Sequence, residues 1–298
     1  MKLPISIPIP DGFLKAETRC GYAISEKQKK IWAVELDLLS RLLQVCEKHN
    51  IKAIVYAGTL LGAIRHGGFI PWDDDLDVAM DRDNFNKLCS VACQEFSEPY
   101  FFQTALTDRK RFISEARLRN SRTTACVKGQ ETVDYNNGIY IDVHVIDGIV
   151  ARGWRRTFQN VAKRVLRKGL VLYYQDDVGN LVYAIARLLF RTFSYVSAYN
   201  MYQRVLAMYT KSSEWLGLVT HGDWFMDRYY LSKKDLDCIT AHDFEGISVP
   251  IPCNYDDILT RTYGDYMTFP PEVSRGAWHE GRIFFDPDSS YLDVLRGR

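Results

Sequence analysis

Apolar residues recur every three or four positions after Ser25. Ile31, Val34, Leu38, Leu42 and Val45 fall on one face of a 3.6-residue period, which predicts an amphipathic helix over residues 25–49. Ser25 is its capping residue, and Gln28, three positions on, is the capping-box partner. The period then shortens. IKAIVY, residues 51–56, is a compact β-rich run and predicts a strand. Gly58 and Thr59 end it, and LLGAIRH returns to a helical turn. HGGFIPWDD reads as loop, because Gly67, Gly68 and Pro71 interrupt both periods. Residues 76–80 predict a second strand, and residues 81–96 a helix capped by Asp81.

Three more runs, residues 100–105, 112–118 and 138–146, predict strands. The last, GIYIDVHVI, alternates apolar side chains around Asp142. Helix, strand, helix, strand, helix and then strands is the order of an α/β-like or α+β sheet domain. The expected fold is therefore α+β: a core over residues 25–150 with a small mixed sheet flanked by helices. Residues 1–24 are expected to form an extended arm, since Pro4, Pro8 and Pro10 exclude helix. Residues 151–220 read as a helical lobe, basic and then apolar. Residues 221–298 read as an irregular aromatic segment that packs back on the core.

Composition narrows the class. At 298 residues, 47% hydrophobic and 25% charged, the chain can bury a sizeable core. Its formal net charge is +1, so no global basic field calls for nucleic acid and charge must act locally. The seven cysteines are odd in number and lack a C-x-x-C pair, which argues against a disulfide framework or zinc knuckle and for a reducing cytoplasm. Cys89 and Cys93, four apart on an expected helix, read as packing. MKLPISIPIPDGF has prolines where a signal peptide needs an apolar run. No window of 18 apolar residues suggests a membrane span, since Arg187 and Arg191 break the nearest candidate. The expected location is cytoplasmic, with at most peripheral contact on the inner face of the plasma membrane.

PWDDDLDVAM, residues 71–80, carries four aspartates. Residues i and i+2 of a strand point to the same face, about 6.5 Å apart, so Asp75 and Asp77 are expected side by side. Two such carboxylates repel, and one stays protonated unless a cation intervenes. Mg²⁺ (or Mn²⁺) resolves the conflict, being a hard ion held by one or two carboxylates together with substrate phosphates. Asp142 is the expected third ligand, because an isolated aspartate among Ile139, Ile141, Val143 and Val145 is costly. The Gly58–Thr59 turn lets backbone N–H groups approach a phosphate. Each signal is weak alone; Asp73 and Asp74 by themselves read as a solvated turn. In this order they form the layout of the nucleotidyltransferase fold.

YAGTLLGAIRHGGFIPWDDDLDVAM, residues 56–80, resembles the signature of the LicD family, which includes bacterial phosphocholine transferases and animal fukutin-related proteins. The match runs through Gly58, Thr59, Arg65, His66, Gly68, Trp72, Asp73, Asp75 and Asp77. GIYIDVHVIDGI resembles the family's second block, with Asp142 at its acidic position, although His144 and Val145 depart from the usual aromatic–proline. FEGISVPIPCNYDDILTRTYGDYM resembles its C-terminal block. The resemblance implies a nucleotidyltransferase-like fold and transfer of a phosphorylated alcohol from a CDP-alcohol donor to a sugar hydroxyl. Phosphocholine from CDP-choline is the leading case and ribitol phosphate from CDP-ribitol another. The implied acceptor is a cell-surface glycan or its lipid-linked precursor, as in lipopolysaccharide, capsule or teichoic acid.

On that implication, Asp75 and Asp77 hold the metal, Asp142 holds it or takes the acceptor's proton, and Asp73 orients the ligand shell. Arg117 and Arg119 alternate in EARLR, share a face and suit phosphate oxygens, unless they are surface charges or pair with Glu115. Arg65, His66 and His279 are further substrate-binding candidates, with a loop hydrogen-bonding role the simpler account of His66. Residues 151–174 hold seven basic side chains and no acid, a pattern of either a solvated helix face or a surface for anionic lipid. The competing reaction is transfer of NMP from an NTP with release of pyrophosphate, which needs the same carboxylates. A phosphate-binding regulator without turnover would have an incomplete carboxylate set, and all three positions are filled.

Overall fold

The chain is seen as a computed structural model that describes residues 3–110, 112–130, 133–174, 181–276, 279 and 281–296. The N-terminal arm is tied down. It closes on a hairpin of β1 (Glu17–Arg19) and β2 (Tyr22–Ile24), and Ile5, Ile7 and Phe13 pack on the core. The helix read from the first apolar period is α1 (Glu26–Lys48), and the Ser25 hydroxyl accepts from Gln28 N at 3.1 Å. Asp37 on α1 accepts from Ser6 N and Ile7 N, which anchors the arm.

β3 (Ile54–Val55) is shorter than its run: these two residues pair with Ala79 and Val78, and Tyr56 N donates to Asp77 O at 2.9 Å as the chain turns away. α2 (Ala57–His66), β4 (Asp77–Asp81) and α3 (Arg82–Glu95) follow the sequence reading, and Asp81 caps α3 by accepting from Asn84 N at 2.8 Å. β5 (Tyr100–Gln103) is as read, whereas β6 (Ala116–Asn120) begins after residues 112–115, which border a recess instead. β7 (Thr124–Val127) was not legible as a strand, and β8 (Ile139–Gly148) is the long alternating one.

β8 is the spine of a mixed sheet. It pairs parallel with β4 on one edge and antiparallel with β6 on the other; β3 extends β4, and β5 extends β6. The register sets Asp77 opposite Asp142, and Asp142 opposite Arg117. Directly paired residues point to one face, so three charged side chains form a row across three strands. The other face buries Val78, Met80, Ile141 and Val143 in the core cluster that also holds Leu38 and Leu42 of α1, the helix that packs on β8. Each such side chain contributes about 1.5–3 kcal/mol, enough to carry a row of charges.

The helical lobe consists of α4 (Trp154–Tyr173), α5 (Leu181–Phe190) and α6 (Tyr195–Leu206), with residues 175–180 of the expected lobe outside the described residues. It has its own core of Leu170, Tyr195, Tyr199, Tyr202 and Leu206. The chain then returns to the sheet through β9 (Trp215–Gly217), the short α7 (Asp223–Met226) and β10 (Tyr230–Ser232). β11 (Ile239–Phe244) and β12 (Ile247–Pro252) form a hairpin followed by α8 (Tyr255–Tyr263); β13 (Ile283–Asp286) pairs with β7, and α9 (Tyr291–Leu295) ends the described chain.

The hairpin corrects the cysteine argument. Cys238 and Cys253 form a disulfide with Cα atoms 5.5 Å apart, adjoining the register pair Ile239↔Pro252. Strand pairing, invisible in the cysteine count, brings them together. No helix of the described residues is long and apolar enough to cross a membrane.

Candidate active site

The aspartate run enters the sheet by alternation. Asp74, Leu76 and Val78 are buried, while Asp73, Asp75 and Asp77 between them are partly exposed and line one cleft. β4 starts only at Asp77, but Asp142 N donates to Leu76 O at 2.9 Å, which carries the ladder one residue upstream. The same-face expectation for Asp75 and Asp77 therefore holds, although Asp75 lies in the approach to the strand. Thr59 Oγ1 accepts from Asp77 N at 2.7 Å and fixes where the run turns in.

Each carboxylate has a different electrostatic setting. Asp73 is pushed up to about 7 by burial, then by Asp77 and Asp74. Asp75 is raised well above the usual carboxylate range by burial, then by Asp73, Asp77 and Asp142. Beneath them Glu35 is raised for the same reasons, and its Oε2 has no hydrogen-bond donor. Asp142 is the opposite case. Burial would raise it, but Arg117, donating from Nε at 2.8 Å, and His144 hold it below the usual range.

His144 completes a chain of contacts. Its Nε2 lies 2.8 Å from Asp77 Oδ1, and its Nδ1 bonds Glu115. Burial would favour neutral imidazole, yet Glu115 and Asp77 raise it well above its ordinary value. Glu115 is held low by His144 against its own burial, and it also accepts from Thr220.

The cleft, about 450 Å³, has an aromatic wall of Trp224, Phe225, Tyr229 and Tyr263. Trp224 and Phe225 meet edge to face at 4.8 Å, Phe225 lies 5.5 Å from Tyr229, and Tyr229 lies 5.9 Å from Tyr263. One face of Trp224 already takes a cation, with Arg228 Cζ 4.9 Å from the ring centroid. A neighbouring recess of about 370 Å³ shares Glu115, Arg117 and Asp142 and adds Arg167 from α4. A larger cleft, about 820 Å³, lies between α3, β5 and α6, but no carboxylate lines it.

The other expected site residues divide. Gly58 lines the cleft, and a Cβ on it would sit 3.0 Å from Asp73 Oδ2. The anion beside the first turn of α2 is thus the protein's own carboxylate. Arg117 lines the cleft, its guanidinium 3.9 Å from the Tyr140 ring centroid. His279 lines it too, with Nδ1 3.2 Å from Asp74 Oδ1.

Arg119, Arg65, His66 and Thr59 do not line it. Arg119 shares Arg117's face but sits one pair further along, fully buried, donating to Gln103 Oε1 and Gly138 O at 2.6 Å. Arg65 and His66 stand at the far end of α2, roughly 12 Å along the axis from Gly58 at 1.5 Å per residue. There Arg65 donates to Tyr266 O, and His66 stacks on Phe269. Burial, then Arg65, pushes His66 down to about 4, so it is neutral at pH 7. Glu115, His144, Asp74 and the aromatic wall escaped the sequence reading. His144 was accessible to it, being two residues after Asp142 on one strand.

A divalent cation fits this donor set. Hard oxygen ligands are crowded where, without a counter-charge, they retain protons. Among the described residues, Asp74, Asp75 and His279 are the group whose ligating atoms all lie within 4.8 Å of one another. Asp73, Asp77 and Asp142 line the same cleft, but Asp77 and Asp142 are turned to His144 and Arg117.

The family model LicD/FKTN/FKRP, nucleotidyltransferase domain, matches residues 50–159, which span β3 through β8. The lipopolysaccharide cholinephosphotransferase LicD of Haemophilus influenzae is 30% identical over 260 residues, covering 82% of this chain and 92% of the relative. An uncharacterized protein of Rickettsia typhi is 47% identical over 60 residues, covering 20% of this chain and 18% of its own length.

Proposed function

Because this chain belongs to the LicD/FKTN/FKRP family and is an enzyme of the LicD phosphotransferase type, we propose that it transfers phosphocholine from CDP-choline to a hydroxyl of a cell-surface glycan or its lipid-linked precursor, releasing CMP. The observation that carries this reading is the two-sided cleft. Carboxylates suited to a metal and a pyrophosphate face an aromatic wall suited to a quaternary ammonium, which is attracted to the faces of Trp and Tyr rings. A ribitol or glycerol head group would gain little from that wall.

In the proposed reaction the acceptor oxygen forms a bond to the β-phosphorus. The bond to the CMP oxygen breaks, CMP takes the electron pair, and the hydroxyl proton passes to a base. Asp142, kept ionised by Arg117, is the proposed base, and Arg117 also offers donors to phosphate oxygens. Asp75, Asp77 and Asp73, with Asp74 and His279 beside them, would hold Mg²⁺ or Mn²⁺, which supplies charge neutralisation for the transferring and leaving oxygens. His144 and Glu115 brace Asp77 at a set angle, so positioning precedes binding.

The test is a panel of CDP-choline, CDP-ribitol, CDP-glycerol and CDP-ethanolamine titrated calorimetrically with Mg²⁺, followed by assay of CMP release. Heat and CMP with CDP-choline alone support the reading. Pyrophosphate release from an NTP, without CMP from any CDP-alcohol, would replace it by nucleotidyl transfer.

A further inference from the structure

α4 is built inside out. Its inward face is polar: Arg156 donates to Asp223 Oδ1 at 2.8 Å and Asp227 Oδ1 at 2.6 Å, and Gln159 donates to the carbonyls of Val205 and Leu206. Lys163 donates to Val219 O at 2.5 Å and His221 O at 2.7 Å. Arg156 and Lys163 are only 5% and 4% exposed. The outward face carries Trp154, Phe158, Val161 and Val165, with Trp154 80% and Phe158 56% exposed. A helix at a protein–water boundary normally has these faces reversed.

α5 lies against α4 and repeats the pattern with Leu181, Ile185, Leu188 and Leu189, all exposed. Lys168 Nζ, exposed, lies 4.2 Å from the Tyr183 ring centroid, so the cations and the apolar stripe share one surface. So many large apolar side chains at three- and four-residue spacing differ from scattered surface hydrophobics and mark an interaction face.

Charge identifies what the face meets. Arg155, Arg164, Arg167 and Lys168 are exposed on α4, and Arg191, just past the end of α5, is exposed too. Residues 151–174 and 181–213 contain no aspartate or glutamate. A second copy of the chain would bring these like charges together. An anionic lipid surface complements them while the apolar stripe enters the headgroup–acyl boundary, as interfacial helices do.

We propose that the exposed face of α4 and α5 docks on an anionic membrane surface. Arg167, on the same helix, borders the recess that shares Arg117 and Asp142, so the docked helix is itself part of the wall beside the cleft. The geometry also revises which basic residues of α4 face lipid: Arg156 and Lys163 are bound within the protein, whereas Arg164 and Lys168 face outward.

The experiment is sedimentation of the full chain with vesicles of phosphatidylcholine alone or of phosphatidylcholine and phosphatidylglycerol at 3:1. Wild type is expected to pellet with the anionic vesicles and at least tenfold less with the zwitterionic ones or in 1 M NaCl. R164S/K168S is expected to weaken anionic binding by about tenfold or more, and W154S/F158S to do the same. All these positions are exposed, so thermal melts of both variants should match wild type. CMP release with soluble donor and acceptor should also be unchanged, which separates this result from any failure of the proposed chemistry. Wild type remaining in the supernatant, or both variants pelleting like wild type, would overturn the proposal. So would light scattering that shows a wild-type dimer split into monomers by W154S/F158S, since a second copy would then cover the face.

Discussion

At the scale of single residues, the cleft crowds carboxyl groups that ionise only at a cost in stability. Asp75 lines the cleft, partly buried, and is surrounded by Asp73, Asp77, Asp142 and Asp74. Asp75→Asn keeps its shape and removes a carboxyl whose raised pKa costs stability at pH 7. The metal-free variant should melt about 2 °C or more above wild type, corresponding to roughly 1 kcal/mol, while turnover falls by about 100-fold or more. A thermal melt paired with a CMP-release assay checks both directions, and a lower melting temperature would contradict the crowding. Asp73 gives the pH dependence. Its carboxyl, pushed up to about 7 by burial, Asp77 and Asp74, holds a proton below that pH, and a cation must displace it. Mn²⁺ affinity should therefore fall about fivefold as pH drops from 7 to 6 and approach about tenfold per unit below that, the behaviour of one displaced proton. Calorimetry in two buffers of different ionisation enthalpy counts that proton.

At the scale of elements, β8 does two jobs with one alternation. Its first half puts Asp142 and His144 on the cleft face, and its end buries Asp147 under the helical lobe. Asp147 takes Arg82 of α3, with Nε donating to Oδ1 at 2.9 Å, and also accepts from Thr210 at 3.0 Å. Asp147→Ala leaves that guanidinium buried without its partner and should cost about 3–5 kcal/mol in urea denaturation. Arg82→Met combined with Asp147→Leu should recover most of the loss; failure to do so would mean that Thr210 or the strand end itself is the support. α4 inverts the same logic, spending its polar side on the protein and its apolar side outward.

At the scale of the molecule, the cleft is assembled from segments far apart in the chain. The acidic floor comes from residues 73–77 and 142, whereas the aromatic wall comes from residues 224–229 and 263. Trp224→Ala leaves the floor untouched and should raise KM for CDP-choline by about 3- to 30-fold, the range of one cation–π contact, with kcat and the response to CDP-glycerol little changed. An equal loss for both donors in steady-state kinetics would show that the wall merely shapes the cleft.

The sequence by itself determined α1 and its Ser25 cap, α3 and its Asp81 cap, five of the seven strands of the central sheet with β6 misplaced by a few residues, and the meeting of the aspartate run with Asp142. These rest on local periodicity and on the cost of placing a carboxylate among apolar neighbours, both properties of short stretches. Only the tertiary structure decided which cations attend those carboxylates. Arg117 and Arg119 are alike by alternation, yet the register gives one to Asp142 and encloses the other against Gln103. Arg65 and His66 are near the aspartates in sequence, but the length of α2 carries them away from the cleft. The Cys238–Cys253 bridge, the Glu115–His144–Asp77 chain and the outward apolar face of α4 likewise depend on which surfaces pack together, and pairing between distant segments leaves no period in the chain to read.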